Sequence, residues 1–195
     1  MNKNYLRYCM YLILSLILTT IGAGIGVHIN INYKALLVLS IVLILIFMFA
    51  KGIVKQFAFI IFCFGEGLCL SPIIYSISNT SLMLCLCLTT LIVGICMIIG
   101  LISKDLSGWQ NYLFIALTVI VLYGVVGIFI NLPNIAWIII LVFSLYVCFD
   151  MNSFKLESRN RTMSKDEILD HVMNMYLDIL NILIELIKIF GDSDD

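Results

Sequence analysis

Seven long apolar stretches, separated by short polar breaks, dominate the chain. Most are close to the roughly 20 residues that a helix needs to cross a hydrocarbon core of about 30 Å. They run approximately over Arg7–Val27, Tyr33–Ala50, Phe57–Ile77, Leu82–Ile102, Trp109–Ile130, Ile135–Phe149 and Ile168–Phe190. The pattern predicts an all-α polytopic membrane protein: a seven-helix bundle forming one transmembrane domain over residues 1–195, with a short acidic tail at 192–195.

The composition excludes a soluble domain. Of the 195 residues, 63% are hydrophobic and 12% are charged, whereas a soluble domain has about 45–50% apolar and about 25% charged residues. Eleven basic and twelve acidic residues give a net charge of −1, so no basic surface for nucleic acid is expected. The seven cysteines lie in or beside apolar stretches, which argues against a secreted disulfide scaffold.

The lysines and arginines predict the orientation in the membrane. Nine of the eleven lie at the N-terminus or in alternate loops, on one predicted side, so the positive-inside rule predicts a cytosolic N-terminus. The first stretch begins like a signal peptide but exceeds an apolar region of about 7–15 residues, so we expect it to be retained. The C-terminus lies outside if the seventh stretch crosses, and in the cytosol if that stretch is re-entrant or interfacial.

The seventh stretch differs from the others because polar residues recur along it every three or four positions. This spacing places them within an arc of about 80° on a helix. They are Asp170, Asn174, Asp178, Asn181, Glu185 and Lys188. One interpretation is an interfacial helix with its polar face in water. The other is a helix inside the bundle whose polar stripe faces an aqueous path, and the mostly acidic stripe favours this one because interfacial helices usually carry Lys and Arg.

Asp178 is expected near the middle of the membrane, where a charged side chain costs about 2.5–3.5 kcal/mol. It therefore needs water or a partner. The candidates are Asp150, at the end of the sixth stretch, and Glu66, within the third. Two neighbouring carboxyl groups titrate as a unit, so Asp150 with Asp178 would form a proton-sensitive latch. Alternatively, Asp150 caps the following polar loop, Asp150–Glu167, in water.

Three segments resemble the Bax inhibitor family of transmembrane proteins. The first is the third stretch with its core Gly65–Pro72, the second is Leu145–Asp150, and the third is Met175–Asn181 followed by an apolar run to Gly191. The order and spacing of these segments and the number of predicted helices all agree with the family. The resemblance covers essentially the whole chain.

The resemblance implies a central last helix wrapped by the other six. It also implies a pH-sensitive calcium leak across the endoplasmic reticulum, or the Golgi, together with anti-apoptotic activity. The family's aspartate proton sensor maps onto Asp150 and Asp178. Calcium is then the permeant ion, with no cofactor, and apoptosis regulators or calcium-release receptors are the expected partners besides lipid. Oxygen ligands suit calcium, and the residues expected along the ion path are Glu66, Asp170, Asn174, Asn181 and Glu185.

The chain departs from the family pattern in three places. Bacterial members have an arginine near the cytosolic end of the second helix that can latch the aspartates, whereas this chain offers Lys51 and Lys55. Lysine lacks the two-pronged guanidinium, so a latch is expected to be weaker or absent. An acidic residue of the second helix is missing from Tyr33–Ala50, and the C-terminal tail is acidic rather than lysine-rich.

Two other function classes compete with a channel. An intramembrane aspartyl protease needs two aspartates on adjacent spans, and Phe149-Asp150 matches half of its signature, but the Gly-x-Gly-Asp half is absent. We therefore predict neither an enzyme nor a resident metal site. The remaining alternative is a non-conducting membrane interaction protein that suppresses apoptosis by binding death regulators.

Overall fold

The computed structural model describes residues 3–29, 33–127, 129–130 and 132–191. Within them the chain forms seven α-helices and one 3-10 turn, Ser107–Trp109. The helices are α1 Lys3–Gly26, α2 Tyr33–Phe49, α3 Ile53–Ser76, α4 Asn79–Ile102, α5 Gln110–Gly127, α6 Ala136–Asn160 and α7 Lys165–Phe190. The predicted seven helices are confirmed. The acidic tail at 192–195 and the polar break at 30–32 lie outside the described residues.

Five of the helices are long and apolar enough to cross a membrane: α1, α3, α4, α5 with its preceding turn, and α6. The apolar part of α2, Val38–Phe49, is shorter, and α7 carries the polar stripe. Many of the large side chains exposed on these helices are Leu, Ile, Val, Met and Phe. The chain is therefore a polytopic membrane protein whose outer apolar faces contact the lipid bilayer.

The chain divides into two compact units. The first contains residues 1–78 and 161–176, and the second contains residues 79–160 and 177–195. In the first unit, α3 packs against both α1 and α2; in the second, α6 packs against α4 and α5. Helix α7 contributes its first half to the first unit and its second half to the second.

Glycines bring the backbones of α1 and α3 into contact. A Cβ atom on Gly22 would overlap the carbonyl oxygen of Phe64, and one on Gly67 would overlap the carbonyl oxygen of Thr19. One turn further along α1, a Cβ atom on Gly26 would overlap the Ser71 side chain. The four-residue spacing of Gly22 and Gly26 predicts this kind of close helix packing, and the structure confirms it.

The turn between α2 and α3 is anchored to the beginning of α7. Gly52 has a φ of 61°, in a region that residues with side chains rarely adopt. Its N–H donates a hydrogen bond to Asp166 Oδ2 at 2.8 Å. Near the start of α1, Asn4 Nδ2 donates to the carbonyl oxygen of Arg161 at 3.1 Å. These contacts place the three segments at one end of the first unit, as the predicted topology requires.

Helix α6 is longer than its apolar stretch indicates. It continues to Asn160, so the prediction that Asp150–Glu167 forms a long polar loop is wrong, and only residues 161–164 separate α6 from α7. The polar extension finds partners just beyond the end of α4: Asn152 Nδ2 donates to Lys104 O at 2.6 Å and Lys155 Nζ to Ser103 O at 2.5 Å. The fall in hydropathy after Phe149 therefore marks the end of the apolar segment but not the end of the helix, which continues to Asn160.

A capping box begins α7. The Ser164 N–H donates to Glu167 Oε2 at 2.7 Å, and the Glu167 N–H donates to Ser164 Oγ at 3.2 Å. Arg161 Nη1 forms an ion pair with Glu167 Oε1 at 2.5 Å. This reciprocal arrangement satisfies backbone N–H groups that the first turn of a helix leaves without partners.

The capping box predicts a pH-dependent contribution to stability. The Ser164 N–H, together with Arg161, lowers the pKa of Glu167 from 4.5 to about 2. Because the native pKa is below the ordinary value, the carboxylate stabilises the fold above pH 4.5, and this contribution is lost as the pH falls towards about 2. We expect Glu167→Gln to cost about 1 kcal/mol at neutral pH and nothing near pH 2, as measured by thermal unfolding in detergent. An equal cost at both pH values would contradict this.

Candidate functional site

Asp150 lies inside α6, ten residues before the helix ends at Asn160. It follows the last residue of the predicted apolar stretch, but the helix continues, and the interpretation that Asp150 caps a loop in water is wrong because the residue is only 8% exposed. The preceding turns of α6 are buried at Val147 and Cys148. Asp150 is therefore a helical residue whose side chain is buried within the second unit.

Asp178 lies in the same unit as Asp150. It is 5% exposed, and the Asp150 carboxyl group is close enough to act on it electrostatically. Within the described residues, Asp178 Oδ2 is buried without a hydrogen-bond partner, and no described basic side chain forms an ion pair with either aspartate. The second unit thus encloses a pair of carboxyl groups that no basic side chain among the described residues neutralises.

Tyr146 is a third polar group at this pair, one turn before Asp150 on α6. Both Asp150 and Asp178 act electrostatically on its phenol, and its ring lies 6.2 Å from that of Phe143. Sequence reasoning did not assign Tyr146 a role. The signal was present, because residues four apart on a helix lie on the same face.

The six polar residues of the α7 stripe lie in different environments. Asp170, Asn174 and Lys188 are exposed, Asn181 is intermediate and Glu185 is buried. Glu185 Oε1 pairs with Lys188 Nζ at 2.6 Å, and Asn181 Nδ2 donates to the carbonyl oxygen of Leu177, on its own helix, at 2.8 Å. Of the six stripe residues, Asp178 and Glu185 are thus the two that lie in the interior.

Glu66 lies in the first unit, on α3. It is partly buried, and the Ser40 side chain of α2 lies near its carboxyl group. It also acts electrostatically on Cys63 of α3 and on Tyr176 of α7. The structure therefore places the candidate ion-path carboxylate Glu66 in the first unit and Asp150 and Asp178 in the second.

The two candidate latch lysines differ in their surroundings. Lys51 is exposed. Lys55 has a side chain only 7% exposed, and its Nζ forms an ion pair with Asp170 Oδ1 at 2.5 Å. The same Nζ lies 4.8 Å from the centre of the Phe47 ring, within the range of a cation–π interaction. Within the first unit, Lys55 therefore pairs with Asp170, one of the polar residues of the α7 stripe.

Asn152 and Lys155 fasten α6 to the end of α4. Besides the two bonds given above, the Asn152 amide donates to Gly100 O at 3.0 Å, and its oxygen accepts the Leu106 N–H at 3.0 Å. A Cβ atom on Gly100 would overlap the carbonyl oxygen of Cys148. These contacts hold α6 against α4 immediately around Asp150, and sequence reasoning missed them because Asn152 had no periodic pattern to mark it.

Several proteins of similar sequence come from bacteria, and two of the three described here are named membrane proteins. Over 149 residues, the chain is 27% identical to the inner membrane protein YbhL of Escherichia coli K12, covering 71% of this chain and 64% of YbhL. It is 27% identical to an uncharacterized membrane protein of Streptococcus pyogenes serotype M3, covering 70% and 62%. An uncharacterized protein of Helicobacter pylori 26695 is 29% identical, covering 55% and 46%. The chain thus spans from about half to just under two thirds of these relatives' lengths.

A family comparison covers nearly the whole chain. Residues 2–195 match the family described as "Inhibitor of apoptosis-promoting Bax1". The match includes all three segments on which the resemblance depends and both buried aspartates. The chain therefore belongs to the Bax inhibitor-1 family of membrane proteins.

Proposed function

We propose that this protein is a pH-sensitive calcium-leak channel whose proton sensor is the pair Asp150 and Asp178. The observation that carries the proposal is the burial of both carboxyl groups in one unit, with Asp178 Oδ2 lacking a hydrogen-bond partner among the described residues. Two neighbouring carboxylates without a counter-charge repel each other, so the pair changes its charge as a unit when protons bind or leave.

Oxygen ligands along α7 support calcium as the permeant ion. Calcium prefers carboxylate and carbonyl oxygens, which the stripe supplies at Asp170, Asn174, Asn181 and Glu185, and Glu66 adds one on α3. A central last helix, within a single transmembrane domain over residues 1–195, is part of this proposal. It is supported by the burial of most of the side chains of α7 and by the unbroken course of this helix through both units.

The membrane and the cellular role belong to the proposal as well. The endoplasmic reticulum or Golgi, the cytosolic N-terminus, the anti-apoptotic activity and the apoptosis-regulator or calcium-release partners stay predictions. The bacterial relatives, one of them named an inner membrane protein, favour a bacterial inner membrane instead. A calcium leak is meaningful in either setting, because both membranes separate compartments that differ in calcium.

Calcium efflux from proteoliposomes tests the proposal. The purified protein is reconstituted, and efflux is followed from about pH 6 to about pH 8, a range that brackets neutrality. We expect a leak whose pH dependence is lost in Asp150→Asn and in Asp178→Asn, because either change leaves one carboxyl group where two had shared protons. Asp105→Asn is the matched control, since Asp105 is exposed and accepts a hydrogen bond from the Ser107 N–H at 2.8 Å.

Three outcomes separate the proposals. An unchanged pH profile in both aspartate variants would contradict the sensor. A change of the same size in Asp105→Asn would show that the effect is not specific to the pair. The absence of any leak from folded protein would favour the non-conducting interaction protein.

A further inference from the structure

A buried hydrogen bond joins α1 to α7. Thr19 Oγ1 and Tyr176 Oη lie 2.6 Å apart, and both side chains are buried. The Thr19 hydroxyl has one hydrogen, and two carbonyl oxygens are within its reach: Ser15 O at 2.9 Å and Cys63 O at 3.0 Å. When the Thr19 hydroxyl donates to either carbonyl, the Tyr176 hydroxyl donates to Thr19; when Tyr176 donates to Cys63 O instead, Thr19 donates to Tyr176, so the bond between the two hydroxyls forms in either arrangement.

The part of the molecule that holds this bond is closely packed. The Thr19 carbonyl oxygen is the atom that a Cβ on Gly67 would overlap, so α1 and α3 are in backbone contact at this level. Phe62 of α3 packs edge-on against the Tyr176 ring, with the ring centres 6.3 Å apart. Tyr176 is therefore held by α1 through the bond of its hydroxyl group to Thr19, and by α3 through its ring and through a longer bond from the hydroxyl to the Cys63 carbonyl oxygen at 3.5 Å.

Tyr176 lies two residues before Asp178 on the same unbroken helix. Two residues correspond to about 200° around the helix axis, so any rotation of α7 that moves the tyrosine hydroxyl moves the Asp178 carboxyl group as well. In the first unit, the titratable groups facing Tyr176 are Cys63 and Glu66 of α3. In the second unit, those facing Asp178 are Tyr146 and Asp150 of α6.

We propose that Thr19 and Tyr176 are positioning residues, whose hydrogen bond fixes the rotation of α7 and thereby presents Asp178 to Asp150. This inference rests on the proposed function, because its consequence is measured as a change in the pH profile of the calcium leak. Neither residue belongs to the proton sensor or to the proposed ion path.

The test compares Thr19→Val with Tyr176→Phe, since each variant removes one of the two hydroxyl groups with little change of shape. We expect both to shift the midpoint of the leak's pH profile in the same direction, by about half a unit to one unit, which corresponds to the net strength of one hydrogen bond. The double variant should shift it no further than either single variant, because the same bond is lost only once. Thr19→Ser, which keeps the hydroxyl, should restore the original profile.

Thr89→Val is the matched control. Thr89 is a buried threonine on α4 whose hydroxyl donates to the Cys85 carbonyl oxygen of its own helix at 2.8 Å. Losing that hydroxyl removes no bond between helices, so the pH profile should stay unchanged. Elution of each variant as a single species in detergent verifies folding, and if Thr19→Val does not fold, Tyr176→Phe decides the matter.

The results distinguish this inference from the proposed function. If the leak is present and altered by Asp178→Asn but keeps its profile in Tyr176→Phe, the positioning role is overturned and the channel stands. Additive shifts in the double variant would also overturn it, because they would mean that the two hydroxyls act separately. If the unmodified protein shows no leak, the proposed function fails and this inference falls with it.

Discussion

Replacing Gly67 with alanine is expected to destabilise the protein by about 3 kcal/mol, at the upper end of what overpacking a close interface costs. The added Cβ atom would overlap the carbonyl oxygen and neighbouring backbone atoms of α1, between Thr19 and Ala23. Backbone atoms cannot rotate away as a flexible side chain would, so α1 and α3 must separate. We expect the midpoint of thermal unfolding in detergent to fall by about 10 °C.

Gly65→Ala is the matched control for this prediction. Gly65 is also buried on α3, only two residues earlier, but a Cβ atom there would meet nothing within 4 Å. Its midpoint should be unchanged or slightly higher, because alanine favours a helix over glycine. Equal losses in the two variants would contradict the close contact between α1 and α3, since they would point to a general effect of replacing glycine.

The helices were predictable because apolar stretches close to the length that spans a membrane alternate with short polar breaks. The predicted and observed ends of α2, α4 and α7 agree within a few residues. The end of α6 was not predictable from hydropathy, because the polar side chains of Asn152 and Lys155 find carbonyl partners just beyond the end of α4. Such partners are distant in sequence, and only the packing of the two helices shows that they are available.

The candidate site was predictable where it depends on one helix and less so where it depends on two. The period of the α7 stripe marked Asp178, and a carboxylate within an apolar segment needs a partner, which led to Asp150. Periodicity could not show that Asp170 is exposed while Glu185 is buried, because exposure depends on which helices surround each turn. Tyr146 and the pairing of Lys55 with Asp170 likewise appear only once the helices are packed.

Replacing Lys55 and replacing Asp170 are expected to cost different amounts of stability. The Lys55 side chain is 7% exposed and that of Asp170 is 52% exposed. Asp170→Asn leaves an ammonium group buried, with the Phe47 ring as its remaining contact described above, and we expect it to cost about 2 kcal/mol, less than for a fully buried pair. Lys55→Met removes the charge but keeps most of the volume, so it should cost less than about 1 kcal/mol.

The double variant, Lys55→Met with Asp170→Asn, tests whether the stability losses of the two single variants add. Because the methionine removes the charge that Asp170 had balanced, the double variant should be more stable than Asp170→Asn alone, as measured by thermal unfolding in detergent. Lys51→Met is the control, since Lys51 is exposed one turn earlier and should change stability little. Additive losses would mean that the buried ammonium finds another partner when Asp170 is removed. The predicted rescue would instead identify Asp170 as the counter-charge that holds the beginning of α3 to α7, beside the second attachment from Gly52 to Asp166.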